Sequence, residues 1–203
     1  MPDITPEEWK AKLVPPDTVL SKIRPGMSIF LSTGVAEPRT LVKALLASKT
    51  GNLRDLEFIQ LVSFGEAVSI PETDVNKFRL KTFFEGWLAS EAITAGRIDL
   101  IPTRFSRIPS LIESGAITVG AAFIQITPPD KAGYCSLGPA VDAARQAMEQ
   151  ATLVVGEINE IAPRTLGDTF VHVDDFDYIV EATEPLIYFP RWQVDADIDR
   201  VAA

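Results

Sequence analysis

Met-Ser-Ile-Phe-Leu-Ser-Thr-Gly-Val-Ala-Glu-Pro-Arg-Thr-Leu-Val-Lys-Ala-Leu-Leu-Ala, residues 27–47, reads as strand, tight loop and helix. Met27 to Leu31 is a short apolar run suited to a strand buried on both faces. Ser32, Thr33 and Gly34 interrupt it, and Gly34 accepts a backbone conformation that a side chain resists. Pro38 suits the first position of a helix, where no amide donor is needed. Leu41, Val42, Leu45 and Leu46 then recur at helical spacing. Such a junction leaves backbone amides pointing over the strand end, and in an open α/β sheet ligands bind at that edge.

The same alternation extends outward in both directions. Upstream, Thr5, Pro6 and Glu8 form a helix-start pattern, and Asp17 is placed to cap a second short helix ending before Pro25-Gly26. Downstream, strands are expected at Leu56–Val62, Phe78–Phe84, Leu100–Pro102, Val119–Ile126, Thr152–Ile158 and Asp177–Val180. Helices are expected from Ser90 to Arg97, Ser106 to Ser114 and Ala140 to Gln150, with Gly51-Asn52 closing the first one. Val119–Ile126 is the most apolar strand and is expected at the centre. Strands that alternate with helices predict an α/β fold: a mainly parallel open sheet with helices on both faces. No linker-like stretch divides the 203 residues, so a single domain over 1–203 is expected.

Hydrophobic residues make up 46% of the chain, which supports a packed core. A formal charge of -9 with no basic run argues against nucleic acid as a partner. No stretch reaches the ~18 apolar residues of a membrane helix. The opening Met-Pro-Asp-Ile-Thr-Pro-Glu-Glu has neither the basic nor the apolar region of a signal peptide, and Cys135 is the single cysteine. A cytoplasmic protein is the expectation.

Four loops follow strand ends and should share one edge: Ser32–Glu37, Ser63–Glu66, Thr127–Gly138 and Glu157–Arg164. In the third, Pro128 and Pro129 set the path, while Gly133, Ser136 and Gly138 permit close approach of a ligand. His172 and Cys135 are the only residues of their kinds, so neither a zinc site nor a Ser-His-Asp triad is expected. His172 is expected to pack or cap beside the acidic run Val173–Asp177. A phosphate loop and a dinucleotide fingerprint are both absent. Glu37, Glu66, Glu157 and Glu160 lie near strand ends, and a glutamate can attack an activated acyl group. The plainer reading of each is a helix-start charge or a solvated loop residue.

Several segments together carry a family resemblance. Ile-Phe-Leu-Ser-Thr-Gly-Val-Ala-Glu-Pro (29–38), Gln-Ile-Thr-Pro-Pro-Asp (125–130), Ser-Leu-Gly-Pro-Ala-Val-Asp (136–142), Pro-Arg-Thr-Leu-Gly-Asp-Thr-Phe-Val-His-Val (163–173) and Asp-Tyr-Ile-Val-Glu (177–181) resemble the acetyl-CoA hydrolase/4-hydroxybutyrate CoA-transferase family. The resemblance runs from about Leu20 to Pro190 and covers only that family's N-terminal domain. It implies the CoA-transferase (NagB/RpiA-like) topology and transfer of CoA between acyl groups through a glutamyl-CoA thioester. The glutamate that forms the thioester belongs to the family's C-terminal domain, so no catalytic residue is carried over onto this chain. Residues 190–199 resemble the inter-domain linker, and a piece cut from a longer chain is expected rather than a natural half.

The resemblance further implies that Ser32, Thr33, Gly34, Val35 and Ser63 form one wall of an acyl and CoA pocket, with Gln125, Pro128, Ser136 and Gly138 facing the partner domain. Implied partners are an acyl-CoA and a small carboxylate, the C-terminal CoA-transferase domain, and further copies in a homo-oligomer. Coenzyme A enters as substrate, with no resident cofactor and no metal. The alternative is a catalytically silent Rossmann-like domain that binds or scaffolds.

Overall fold

The computed structural model describes residues 9–69, 77–188 and 200. The Thr5–Glu8 helix start and the linker-like segment therefore lie outside the described residues. In chain order the regular elements are α1 (Pro16–Leu20), β1 (Ser28–Leu31), α2 (Arg39–Ala47), β2 (Leu56–Gln60), β3 (Phe78–Thr82), α3 (Gly86–Thr94) and β4 (Ile98–Leu100). They continue with α4 (Ile108–Glu113), β5 (Ala121–Ile126), β6 (Tyr134–Ser136), α5 (Ala144–Gln150), β7 (Leu153–Ile158), β8 (Phe170–His172) and β9 (Tyr178–Glu181).

Seven strands form one sheet in the order β4-β3-β2-β1-β5-β7-β9. Every pairing in it is parallel. The chain starts in the middle at β1, steps outward to β4, and then returns to lay β5, β7 and β9 on the other side. The order therefore reverses between β1 and β5, which opens a crevice beyond their carboxyl ends. β1 holds the centre, and the strand expected there, β5, lies beside it with all six residues buried.

Alternation along each strand feeds two cores. On one face Ile29, Leu31, Phe58, Leu80, Phe123 and Val155 pack with Val19 and Leu20 of α1, Leu41, Val42 and Leu45 of α2, and Ala89 and Ala92 of α3. On the other, Phe30, Ile59, Ala122, Ile124, Val154 and Ile179 pack with Ile108 and Ile112 of α4 and Ala144, Ala147 and Met148 of α5. Phe30, Phe58 and Phe123 are fully buried, and burial of each such side chain stabilises the fold by about 1.5–3 kcal/mol. Helices thus cover both faces, as the alternation predicts.

Several boundaries differ from the sequence reading. A 3-10 turn, Gly34–Ala36, comes between β1 and α2, and Pro38 is the cap of α2 rather than its first residue. Asp17 lies in the first turn of α1 behind Pro15 and Pro16, and the cap makes no side-chain hydrogen bond. α3 begins at Gly86, whose φ of 53° lets the chain turn in before Ser90. β4 is Ile98–Leu100, because pairing with β3 runs from Leu80↔Ile98 to Thr82↔Leu100 and stops short of Pro102. α5 starts only at Ala144, after Asp142 takes a positive φ of 33°. The antiparallel ribbon of β6 and β8 has no counterpart in the sequence pattern; its strands are three residues each, too short for a periodic pattern, and its pairs are 34 or more positions apart.

Candidate functional site

Where β2, β5 and β7 reach their carboxyl ends, their α2-facing positions change from apolar to polar. Gln60 follows Phe58, Gln125 follows Phe123 and Glu157 follows Val155, and all three polar residues are buried. α2 begins directly above them. Its cap, Pro38, makes no side-chain hydrogen bond to the first turn. Glu157 does so instead: Oε1 accepts from the Thr40 amide at 3.2 Å and Oε2 from the Leu41 amide at 2.9 Å. Burial pushes this carboxyl up to about 7, against the lowering effect of the two amides. Burial also raises Glu37, which receives hydrogen bonds from Gln60, Ser63 and the Ala67 amide.

At the rim, Arg39 grips Glu66 through two bonds of 2.8 and 2.6 Å and donates to the Pro185 carbonyl at 2.7 Å. The Arg39 hydrogen bond lowers the Glu66 carboxyl. Lys43 pairs with Glu184 at 2.6 Å, and Thr40 Oγ1 accepts the Thr183 and Glu184 amides. The first turn of α2 therefore fastens the loop after β2 and the segment after β9 to one place. Of the four glutamates singled out by position, Glu37, Glu66 and Glu157 have their oxygens committed to internal partners, and Glu160 is exposed.

The other singled-out residues fall into two linked groups. Around β1, the Ser32 carbonyl accepts from Gln60 at 3.0 Å, and Ser32 Oγ accepts the Gln125 amide at 3.3 Å. Thr33 Oγ1 exchanges hydrogen bonds with the backbone of Val62, and the Gly34 amide donates to the Val62 carbonyl at 2.9 Å. Gly34 has the positive φ, 58°, expected of it. Its amide, however, is occupied, so the free amide anticipated at this point is not available. Val35 is half-buried beside it. In the second group, Ser136 Oγ accepts the Gly138 and Thr165 amides, both at 3.1 Å. Gly138 faces Pro163, and the Pro128 carbonyl accepts from Arg164. The Asp142 carboxylate joins the groups by lying against the amides of Thr33, Ala143 and Ala144, and Gln125 Oε1 accepts from Asn159 just beyond β7. Burial pushes Asp142 up to about 6. Its positive φ and its reach back to Thr33 were not foreseen, although an Asp just before a helix is a capping signal.

His172 caps the 3-10 turn Val173–Asp175 as expected, with its ring accepting from the Asp174 amide and Asp175 accepting the His172 amide. Burial pushes the Cys135 thiol up to about 12, which suits packing rather than chemistry. Among the described residues no group of three or more His, Cys, Asp or Glu side chains could hold a metal. Two adjoining cavities of about 350 and 450 Å³ lie at the opposite edge of the sheet, around Arg24 and Met27. The Asp177 carboxylate there accepts the Val154 amide.

A model of the acetyl-CoA hydrolase/transferase N-terminal domain matches residues 4–189. The chain belongs to this family. A 4-hydroxybutyrate coenzyme A transferase of Clostridium kluyveri is 40% identical over 181 residues, which are 89% of this chain and 42% of that protein. A succinyl-CoA:acetate/propanoyl-CoA:succinate CoA transferase of Fasciola hepatica is 34% identical over 173 residues, 83% of this chain and 35% of that one. The crystal structure of RipA from Yersinia pestis superposes with a TM-score of 0.80 at 27% identity, covering 93% of this chain and 46% of that chain. The chain thus spans about two-fifths of the length of the curated relatives it matches. In this acetyl-CoA hydrolase/transferase domain, the residues that carried the resemblance at 29–38, 125–130, 136–142 and 163–173 meet around the carboxyl ends of β1, β5 and β7. No helix among the described residues is long and apolar enough to cross a membrane.

Proposed function

We propose that this domain supplies one wall of the acyl and CoA pocket of a CoA-transferase or acetyl-CoA hydrolase, while a second domain carries the glutamate that becomes the thioester. The observation that carries the reading is the family match over residues 4–189. The substrates are an acyl-CoA and a small carboxylate. CoA passes through the site as substrate rather than residing there as a cofactor. The remaining partners are the C-terminal CoA-transferase domain and further copies of the whole protein, in the cytoplasm.

In this reading the wall comprises Ser32, Thr33, Gly34, Val35 and Ser63, and the face toward the second domain comprises Gln125, Pro128, Ser136 and Gly138. Ser32, Thr33, Ser136 and Gly138 are hydrogen-bonded within the protein, to one another and to Gln60, Val62 and Thr165, whereas Gln125 Nε2 is buried without a partner among the described residues. Their task is then shape and exclusion of water, the competing acceptor that distinguishes hydrolysis from transfer. Among these side chains Gln125 Nε2 is the buried donor left without a partner, so stabilisation of the oxyanion in thioester exchange rests on it and on donors outside this set.

The test is covalent trapping. The 203-residue chain is incubated with acetyl-CoA, treated with borohydride and weighed intact, alone and together with the C-terminal domain. The chain alone keeps its mass, and turnover appears only with the second domain. A stoichiometric change on Glu37, Glu66 or Glu157 of the isolated chain would overturn the reading.

A further inference from the structure

We propose that Glu37 is the positioning residue of the acyl-facing edge: its buried carboxylate sets the path of residues 63–67, with glycine at 65 seated directly over it. The proposal rests on the reading above that residues 32–37 and 63 face the acyl group.

Glu37 is only 1% exposed, so its partners are fixed by the protein rather than by water. Oε1 accepts the Ala67 amide at 3.0 Å. Oε2 accepts from Gln60 Nε2 at 3.1 Å and from Ser63 Oγ at 3.5 Å. Gln60 also donates to the Ser32 carbonyl, so one carboxylate joins the ends of β1 and β2 to the 3-10 turn Glu66–Ser69.

Packing adds an independent constraint. A Cβ on Gly65 would lie 2.5 Å from Glu37 Oε1, 2.7 Å from its Cδ and 2.9 Å from Ile187 Cδ1. No side chain fits there while the carboxylate stays in place. The preceding residue, Phe64, transmits the placement. Its ring would be 3.3 Å from a Cβ on Gly34 and 3.9 Å from one on Gly86. A shift of the Glu37 carboxylate therefore moves the backbone at 65, the ring at 64, and the surface that the ring and Gly34 share. The neighbouring Arg39–Glu66 pair holds the same loop from the rim, where both side chains keep contact with solvent. That pair is bidentate and part-buried, so it anchors the loop from outside while the Glu37 carboxylate, whose loss strands several buried donors, anchors it from within.

The experiment uses Glu37→Ala, Glu37→Gln, Gly65→Ala and the double variant Glu37→Ala/Gly65→Ala. In the 203-residue chain, amide exchange at Ala67 accelerates at least about tenfold in Glu37→Ala while Ile59 in β2 is unchanged. Gly65→Ala does the same with Glu37 present. The double variant is no worse than either single one, because the smaller side chain at 37 removes the two closest contacts and leaves only the end of the Ile187 side chain at 2.9 Å. Glu37→Gln, which keeps the shape and one acceptor, recovers most of the protection. In the full-length protein, Glu37→Ala and Gly65→Ala change the ratio of kcat/KM for a short and a longer acyl-CoA by about tenfold or more, and Glu37→Gln restores it. The proposal is overturned if Ala67 and Ile59 accelerate together, if the two single effects add, or if folded variants keep the wild-type acyl ratio. Wild-type full-length protein that transfers no CoA at all would instead remove the functional reading, and the exchange pattern would then decide alone whether Glu37 holds the loop.

Discussion

Replacing Glu157 by Gln should flatten the pH dependence of stability. The carboxylate accepts two amides at the start of α2, and burial raises it from 4.5 to about 7. Between those values the folded chain keeps a proton that the unfolded chain has released. Raising the pH through this window therefore weakens the fold, and the loss is complete above the folded value. Each unit is worth about 1.4 kcal/mol, so a rise from about pH 5 to about pH 8 removes about 2–3 kcal/mol through this group alone. Glutamine cannot ionise, so the variant loses that slope. It also leaves one of the two amides facing an NH₂ group, which lowers stability by roughly 1–3 kcal/mol at every pH. Urea unfolding of both chains, followed by circular dichroism across this range, separates the two effects. Glu37 is raised by burial too and contributes in the same direction, while Glu66 is lowered and contributes the opposite sign at more acid pH. Both remain in the variant, so the difference between the two curves reports Glu157 together with its charge coupling to Glu37. Equal slopes would refute the reasoning. So would a wild-type stability that rises with pH and loses that rise in the variant, since the helix amides would then outweigh burial.

Two further substitutions probe the edge and the core. Gly34→Ala forces an L side chain into φ 58° and brings its Cβ to 3.3 Å from the Phe64 ring, so stability should fall by about 1–2 kcal/mol, or a few degrees in melting temperature at this chain size. If the loop lines the acyl pocket, the folded fraction of the full-length variant also loses kcat/KM in a way that depends on acyl length; unchanged kinetics with two acyl-CoA lengths would leave Gly34 as a turn residue. Gly156→Ala puts a Cβ 2.7 Å from Ile126 Cδ1 and 3.1 Å from Phe176 Cδ1 inside the core, an overpacking expected to cost about 1–3 kcal/mol. Adding Ile126→Val should recover part of that loss in urea denaturation, and strictly additive losses would contradict the assigned clash.

What was legible in the sequence follows from the range of the interactions involved. Alternation of strands and helices is a local pattern, and the parallel sheet covered on both faces followed from it. So did the shared edge of the loops at 32, 63, 127 and 157, because parallel strands place every carboxyl end on one side. His172 beside Asp174 and Asp175 was readable for the same reason, since its cap closes within three residues. The role of Glu157 was not, because its partners Thr40 and Leu41 lie more than a hundred positions earlier. The identity of Glu157 suggested a charge near a helix start, and only the fold says which helix. The β6–β8 ribbon and the Asp142–Thr33 contact were hidden in the same way, since both depend on loops from distant parts of the chain meeting.

The internal acceptor at α2 also changes what this edge can recognise. A free helix N-terminus after a strand is a ready site for an anion. Here the Thr40 and Leu41 amides are taken by Glu157, the Gly34 amide by Val62, and the Thr33 amide faces Asp142. The partial positive charge of α2 is thus offset from within the sheet, and two further carboxylates, Glu37 and Glu66, stand nearby. A carboxylate or phosphate approaching the start of α2 would meet occupied amides, and the buried donor left without a partner nearby is Gln125 Nε2. The glycine-bearing loops offer close approach and shape instead, through Gly34, Gly65 and the Phe64 ring between Gly34 and Gly86. An uncharged acyl chain fits such a surface better than the anionic end of a substrate does. In the proposed enzyme, attraction for the carboxylate and for the CoA phosphates therefore rests on Gln125 Nε2 and on groups beyond this edge rather than on the α2 amides.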